Sequence, residues 1–242
     1  MYGDIHGCLD EFVTLREKIG IKKDDIEIIV GDFLNKGPFS IETLHFIKSN
    51  NISAIRGNHE DKFIRYFDHE KLKKEFGQKN PMKLNSLEEK IFQNLKIEDI
   101  KFLKSQPFFI KIKNLTVVHA GVTNTIFLEN ATKKDFAKVM RLRFVDEYGN
   151  FVSLNDISKK ACCYWSEVYD GHDGFIVYGH QPFLKPKIDR FSIGIDTGCV
   201  YGNRLTAVIF NILNDEVIIP SYRFESVKAK NIYAKREKPW LI

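Results

Sequence analysis

No stretch of this 242-residue chain approaches the ~18 consecutive apolar residues that a membrane-crossing helix requires, and the first residues carry no signal-peptide core. A soluble, cytoplasmic protein without a membrane partner is expected. Cysteine is scarce: Cys8, Cys162, Cys163 and Cys199 make no C-x-x-C pair and no framework spacing, which argues against zinc-ribbon and disulfide-scaffold folds. The seven prolines are scattered, and no Ser/Gly-rich linker, internal repeat or low-complexity segment interrupts the chain. One catalytic domain spanning residues 1–242 and carrying an inserted segment is the expected organisation. Charge of one sign is also missing, since 37 lysines and arginines against 32 aspartates and glutamates leave only +5. No concentrated basic face is evident, so no stable nucleic-acid partner is expected, whereas a small anionic substrate fits.

What the chain does have is a 43% hydrophobic content, enough for one substantial α/β core. Leu9, Phe12, Leu15 and Ile19 follow a helical rhythm that Gly20 closes. Ile26–Val30 and Ile52–Ile55 read as short buried strands. Between them, Pro38 and Ser40 open a helix with Ile41, Leu44 and Ile47 on one face. Residues 61–104 are lysine-rich, with Phe63, Phe67, Leu72, Leu87 and Ile91 near helical spacing, and are expected to form a helical insertion. Phe108–Ile112 and Leu115–Val118 read as a hairpin around Lys113-Asn114. Helices are expected near 133–140 and 155–169. Strands are expected at Phe175–Tyr178, Phe191–Ile195, Leu205–Phe210 and Glu216–Ile219, and an irregular basic tail from Phe224.

One pattern recurs along the chain. An apolar run ends and a Gly, Asp, Asn or His cluster follows at once: Val30 into Gly31-Asp32, Ile55 into Arg56-Gly57-Asn58-His59, Val118 into His119, Tyr178 into Gly179-His180, and Ile195 into Asp196-Thr197-Gly198. Ligands in open α/β sheets bind beyond the carboxyl ends of strands, so these clusters would meet on one rim. Carboxylates and imidazoles in a mixed oxygen and nitrogen set suit manganese, iron or zinc. Alternation along an extended segment puts Asp4 and His6 on one side. Asp32 can bridge two ions, Asn58 supplies a neutral carbonyl oxygen, and His119 and His180 supply imidazoles. Singly, each histidine reads as a surface or core residue; together at strand ends they read as a metal centre. His45, His69 and His172 lie outside the clusters and are read as ordinary. Asp196-Thr197-Gly198 is similar to an aspartic-protease signature, but a single copy among metal motifs is read as a turn near the site. Cys8 is read as a small packing residue rather than a nucleophile.

Gly3-Asp4-Ile5-His6-Gly7, Gly31-Asp32, Gly57-Asn58-His59-Glu60, His119 and Gly179-His180, in that order, resemble the phosphoprotein-phosphatase branch of the calcineurin-like metallophosphoesterases, over residues 3 to about 210. The resemblance implies an α/β fold, a four-layer αββα sandwich. It implies two divalent metal ions, manganese first, with Asp4, His6 and Asp32 on one and Asp32, Asn58, His119 and His180 on the other. Asn58 would also touch the substrate phosphate. His59 would protonate the leaving oxygen after attack by a hydroxide bridging the ions. In that family the first motif follows a central strand. Only Met1 and Tyr2 precede it here, so a short strand or a late-starting chain is expected.

The second motif is the discriminating one. Protein phosphatases carry an Asp and an Arg where this chain has Asn35 and Lys36, before Gly37-Pro38. A lysine there resembles the ApaH-like phosphatases, relatives of the symmetrical diadenosine tetraphosphate hydrolases. Cys8 and the run Ile195-Asp196-Thr197-Gly198-Cys199 point the same way. The resemblance therefore implies a phosphorylated small molecule or nucleotide as substrate, a dinucleoside polyphosphate first, with a Ser/Thr protein phosphatase as the alternative. Neutral Asn35 can only hydrogen-bond to the catalytic histidine, and leaves it less basic than an Asp would. Lys36 offers a compact charge in place of a bidentate fork. Arg56, Arg141 and Arg143 are candidate phosphate clamps. If 141–143 is extended, both of its arginines reach the site; if helical, only one does.

Overall fold

Leu9–Ile19 forms a helix (α1) because Phe12 and Leu15 share one buried face, and Gly20 ends it. Gly20 adopts φ 70° and donates its N–H back to Arg16 and Glu17, a left-handed cap that suits glycine. The computed structural model describes residues 1–153, 155–156, 162–213 and 216–236. After α1 come β1 (Ile28–Ile29), α2 (Ser40–Ser49), β2 (Ser53–Ala54), and three helices α3 (Asn58–Phe76), α4 (Ser86–Asn94) and α5 (Ile97–Ser105). Then follow β3 (Phe109–Ile112), β4 (Leu115–Val118), α6 (Lys133–Val139), β5 (Phe144–Asp146), β6 (Phe151–Val152), β7 (Cys162–Tyr164) and α7 (Trp165–Val168). The last strands are β8 (Phe175–Tyr178), β9 (Lys187–Asp189), β10 (Ser192–Gly194), β11 (Arg204–Leu213) and β12 (Glu216–Lys228).

Two sheets carry the fold. In the first, β2 pairs in parallel with β1, and β11 pairs antiparallel with β12. Tyr2 joins the halves, bridging Ile29 in parallel and Ala207 antiparallel. Its N–H donates to the Ile28 carbonyl at 2.8 Å and its carbonyl accepts from Val30 at 3.0 Å. The short strand expected ahead of Gly3 is thus a bridge at the centre of the sheet, not at its edge. The second sheet runs β3-β4-β8-β10-β9, with β4, β8 and β10 parallel. A small antiparallel sheet, β6-β5-β7, lies apart.

Alternation then sorts the side chains into layers. Ile28, Val30, Val117, Val177, Ile193 and Val208 fill the space between the sheets. Tyr2 and Ile29 point the other way and pack with Phe12, Leu15, Leu44 and Ile47 of α1 and α2. Val118, Ile176 and Tyr178 pack with Val139 of α6 and Trp165 of α7. The architecture is α/β, in helix–sheet–sheet–helix order. The stretch expected over residues 61–104 is helical, as α3 to α5, with α3 starting three residues earlier than expected, on Asn58 and His59.

Two expectations need correction. The helix expected near 155–169 is a strand followed by one helical turn: Cys162–Tyr164 pairs with β5, and only Trp165–Val168 coils. Residues 157–161 of that expectation lie outside the described residues. The tail is not irregular from Phe224, because β12 continues to Lys228 against β11. Phe224 packs into the inter-sheet core and Val227 against the helix-side core, an alternation that the intervening Glu225 and Ser226 mask in the sequence.

Candidate metal centre

Each cluster read from the sequence stands on a tight connection just beyond a strand. Several backbones there are held in the left-handed region, at φ 48° for His6, 49° for Asp32, 72° for Asn35, 66° for Lys36 and 66° for His180. Non-glycine residues rarely adopt this conformation, and it persists where surrounding contacts impose it. Glu60 supplies part of that constraint. Fully buried at the start of α3, it accepts the N–H groups of Asp32 (2.9 Å), Leu34 (3.0 Å) and Gly57 (3.0 Å), tying the second motif to the third. A Cβ at Gly57 would collide with the Asp32 carboxylate and backbone, so only glycine allows this approach.

The ligand candidates converge. Asp32, His6 and His59 offer atoms within 4.8 Å of one another, and so do Asp32, His119 and His180. Asp32 belongs to both groups, lying 3.8 Å from Nε2 of His6, 3.9 Å from Nε2 of His59 and 3.3 Å from Nε2 of His119. Asp4 lies 4.0 Å from His6 and accepts the His180 N–H. His6 donates Nδ1–H to the Leu34 carbonyl (3.0 Å), and His119 donates Nδ1–H to the Val30 carbonyl (2.8 Å). A carbonyl can only accept, so both rings present Nε2 to the centre, the arrangement that orients metal-ligating histidines.

The charge balance calls for cations. Asp4, Asp32 and Asp196 are all buried. Burial and repulsion from Asp196 and Asp32 push the Asp4 carboxyl well above its ordinary range, and burial lifts Asp196 to about 6. Nε2 of His119 faces two acceptors, the Asn58 carbonyl oxygen at 3.1 Å and the Asp32 carboxylate at 3.3 Å, so only a positive charge can sit among them. At the other end, the Lys36 ammonium donates to Nε2 of His6 at 2.9 Å. Burial works against that ammonium, but Tyr201, Asp32 and Asp196 hold its pKa up. The donor set fits two divalent ions, one beside Asp4, His6 and Asp32 and one beside Asp32, Asn58, His119 and His180.

His59 stands at the mouth. Its Nδ1 lies 2.8 Å from the Asn35 amide nitrogen. Two contacts settle which way that amide points: its oxygen accepts the Lys36 N–H (2.8 Å), and its nitrogen donates to the Glu88 carboxylate (3.0 Å). The amide therefore donates to Nδ1, leaving the His59 proton on Nε2. Burial drives the pKa of His59 down to about 4.

The three arginines separate. Arg143 lines the cleft above the centre, and its Nε is buried without a hydrogen-bond partner. Arg141 turns away to the Ala137 carbonyl (3.1 Å) and Asp61 (3.2 Å). Arg56 donates to the Lys104 carbonyl (2.6 Å) and stacks over Phe108. Met140 and Arg141 form a turn after α6, and Leu142 and Arg143 lead irregularly into β5, so neither the helical nor the fully extended case applies and a single arginine faces inward. Several cleft residues escaped the sequence reading: Asp196, taken there as a turn, together with Glu88, Tyr233, Lys235 and Arg236.

The family profile described as calcineurin-like phosphoesterase matches residues 1–219. The chain belongs to that family. It is accordingly a metal-dependent phosphoric ester or anhydride hydrolase, and its family implies two divalent ions. Among its relatives is the asymmetrical bis(5'-nucleosyl)-tetraphosphatase PrpE of Oceanobacillus iheyensis, 32% identical over 224 residues and 86% of each chain. The enzyme of the same name from Bacillus subtilis is 28% identical over 235 residues, 90% of this chain and 92% of its own. A crystal structure provisionally assigned as a diadenosine tetraphosphatase superposes with a TM-score of 0.74 at 24% identity, covering 95% of this chain and 92% of that one, which shows the shared fold. The relatives are named asymmetrical, whereas the second motif had pointed toward relatives of the symmetrical hydrolases. This phosphoesterase has no helix among its described residues long and apolar enough to cross a membrane.

Proposed function

We propose that the chain hydrolyses a phosphoanhydride bond of a dinucleoside polyphosphate, with manganese as the preferred ion, in the cytoplasm. The observation that carries the reading is the Asn35–His59 contact. With its pKa lowered to about 4, His59 is a neutral imidazole near pH 7, and the Nε2 proton of a neutral ring is only weakly acidic. A phosphoserine leaves as an alkoxide, nearly as basic as hydroxide, and needs a strong proton donor. A nucleotide leaves from an anhydride as a phosphate whose last pKa is about 6, and departs with little help. Asn35 thus supports an anhydride substrate over a phosphoprotein. Names of the relatives, with most of each chain covered, support the same class. Reduced thiols at all four cysteines suit a cytoplasmic setting.

The roles that follow belong to the chain's own side chains. Asp4, His6, Asp32, Asn58, His119 and His180 would hold the two ions. When bound, divalent ions neutralise phosphoryl charge and lower the pKa of coordinated water. Arg143 and Lys36 lie beside the centre as partners for phosphoryl oxygens. Asn58 reaches the same space, and His59 offers its Nε2 proton to the leaving oxygen. Arg56 and Arg141 are occupied elsewhere and are dropped from the phosphate site. A cleft of about 620 Å³ lies above the centre, the size of a nucleotide site rather than of a single phosphoryl group.

The test is a substrate panel of diadenosine tetraphosphate, inorganic polyphosphate, capped RNA and a phosphopeptide, each with Mn²⁺, Fe²⁺ and Zn²⁺. Fastest turnover of diadenosine tetraphosphate to a nucleoside triphosphate and a monophosphate is expected. A higher kcat/KM on the phosphopeptide would overturn the reading.

A further inference from the structure

Two of the four cysteines meet a buried carboxylate away from the catalytic ligands. Cys8 caps the start of α1 directly after His6 and Gly7, and Cys199 opens the short helical turn that follows Gly198. Both are free thiols and both are buried. The thiol of Cys199 is hydrogen-bonded to that of Cys8. Glu11, in the first turn of α1, brings a carboxylate to the same place. One donor atom from each residue, two Sγ and a carboxylate oxygen, lies within 4.8 Å of the other two. Zn–S bonds of about 2.3 Å put two tetrahedral sulfur ligands about 3.8 Å apart, so the three donors already stand near ligand spacing.

The carboxylate sets this cluster apart from simple packing. Glu11 is only 1% exposed, and a carboxylate buried so deeply is unfavourable unless its charge and lone pairs are met. Its Oε1 accepts the Lys230 N–H and the Tyr233 hydroxyl, both at 2.8 Å. Its Oε2 is buried with no hydrogen-bond partner among the described residues. Lys230 does not neutralise it, because that ammonium pairs with Asp10 at 2.8 Å. One oxygen is therefore fixed while the other stands unpaired, which is how a carboxylate that ligates a metal through one oxygen is held. Two sulfurs and one oxygen suit a borderline-soft ion such as Zn²⁺, and not Mn²⁺, which favours hard donors. As Zn²⁺ binds, each thiol releases its proton, so the net charge of the buried group is unchanged.

We propose that Cys8, Cys199 and Glu11 form a third metal site, for a thiolate-preferring divalent ion of the Zn²⁺ class. None of the three belongs to the proposed catalytic ligands, and none lines the cleft. The ion would tie together stretches far apart in the chain: the turn after His6, the turn after Asp196 and, through Oε1 of Glu11, the segment at Lys230 and Tyr233. The site goes beyond the hydrolytic reading and does not depend on the substrate.

The test uses Cd²⁺ as a spectroscopic substitute for Zn²⁺, in the full chain carrying Cys162→Ser and Cys163→Ser so that the two partly exposed thiols cannot contribute. The reduced protein is refolded from urea with Cd²⁺ and excess Mn²⁺. Burial then does not bar entry, and Mn²⁺ fills the carboxylate and imidazole centre. The readout is the ultraviolet thiolate-to-cadmium charge-transfer band, which a site of oxygen and nitrogen donors does not give. A single Cd²⁺ per chain is expected to produce it, and added Zn²⁺ should bleach it. Cys199→Ser should remove at least half of the band, and Glu11→Gln should keep the band but weaken the Cd²⁺ Kd about tenfold. Circular dichroism shows whether each variant folds. Should Cys199→Ser not fold, Glu11→Gln decides, and a Kd within twofold of the parent overturns the site. No band in the parent, or a band that Cys199→Ser leaves intact, also overturns it and leaves the cysteines as packed thiols.

Discussion

The amide nitrogen of Asn35 donates to Nδ1 of His59 across 2.8 Å, and so places the ring proton on the side that faces the cleft. An aspartate at 35 would accept from Nδ1 instead, raise the histidine's pKa and keep more of it in the protonated form that can donate. Glu88 sits 3.0 Å from the Asn35 amide nitrogen, so the carboxylate is best introduced as Asn35→Asp/Glu88→Gln, which avoids two adjacent anions. The double variant should hydrolyse phenyl phosphate, a poor leaving group, about tenfold faster relative to diadenosine tetraphosphate than wild type does. The raised histidine pKa keeps the acid form present to higher pH, so the basic limb of the rate profile should move upward. Superimposable profiles and an unchanged substrate ratio would sink the assignment.

Removal of the ions gives a second check. Chelation should lower activity by ~10³-fold or more, with recovery on adding Mn²⁺, since electrostatic stabilisation by the ions is asked to supply several kcal/mol. Thermal unfolding should rise in temperature as metal is added, because the ions bind the folded centre with its buried Asp4 and Asp32. Asp32→Ala should abolish both effects. A melting temperature that ignores metal would count against the proposed ligand set.

Arg143 and Arg141 should behave differently. Losing the half-buried Arg143 should reduce kcat/KM by roughly 10- to 100-fold, the range of one charge-assisted contact. Arg141 spends its guanidinium on Ala137 and Asp61, so Arg141→Ala should change kcat/KM less than about twofold. Equal losses from the two variants would contradict the geometry.

The bridge at Tyr2 depends on Glu27, which accepts the Tyr2 hydroxyl at 2.6 Å and a two-point contact from Arg16 at 2.7 and 2.8 Å. Burial alone would raise the Glu27 pKa, but Arg16 and Tyr2 outweigh it and hold the carboxyl below its usual value. A depressed folded pKa contributes stability that is present above the unfolded value of about 4.3 and is lost as pH falls through the folded one. Glu27→Gln should therefore lower unfolding free energy by about 2 kcal/mol near pH 7, and the gap to wild type should close below about pH 4. Denaturant melts at the two pH values measure it. A gap that persists in acid would show that packing, not charge, is responsible.

The convergence of Asp32, His119 and His180 was readable because each follows closely on its own apolar strand, so a local pattern reports a shared rim. Gly20 and Leu9–Ile19 were readable for a similar reason: periodicity and cap lie within one helix. What escaped depends on partners far away in the chain. Nothing near Glu88 announces that it will meet Asn35, and Glu11 meets Tyr233 only after the whole sheet has formed. Likewise, the choice between Arg141 and Arg143 depends on Asp61, eighty positions earlier in the chain, which captures one of them. Only the Glu60 cap had a local signal, a glutamate three residues after the glycine that starts α3.

The cleft has two walls of separate origin. Asn85, Leu87 and Glu88 come from the α3–α5 segment, and Tyr233 to Arg236 come from the segment after β12, while the proposed ligands Asp32, His119 and His180 stand on strand-end connections and Asn58 on the first turn of α3. Apart from Glu88, whose carboxylate holds the Asn35 amide, recognition is thereby separated from reaction. Engineers can randomise the remaining wall residues for new phosphorylated substrates while the strained turns that seat the proposed ligands stay untouched.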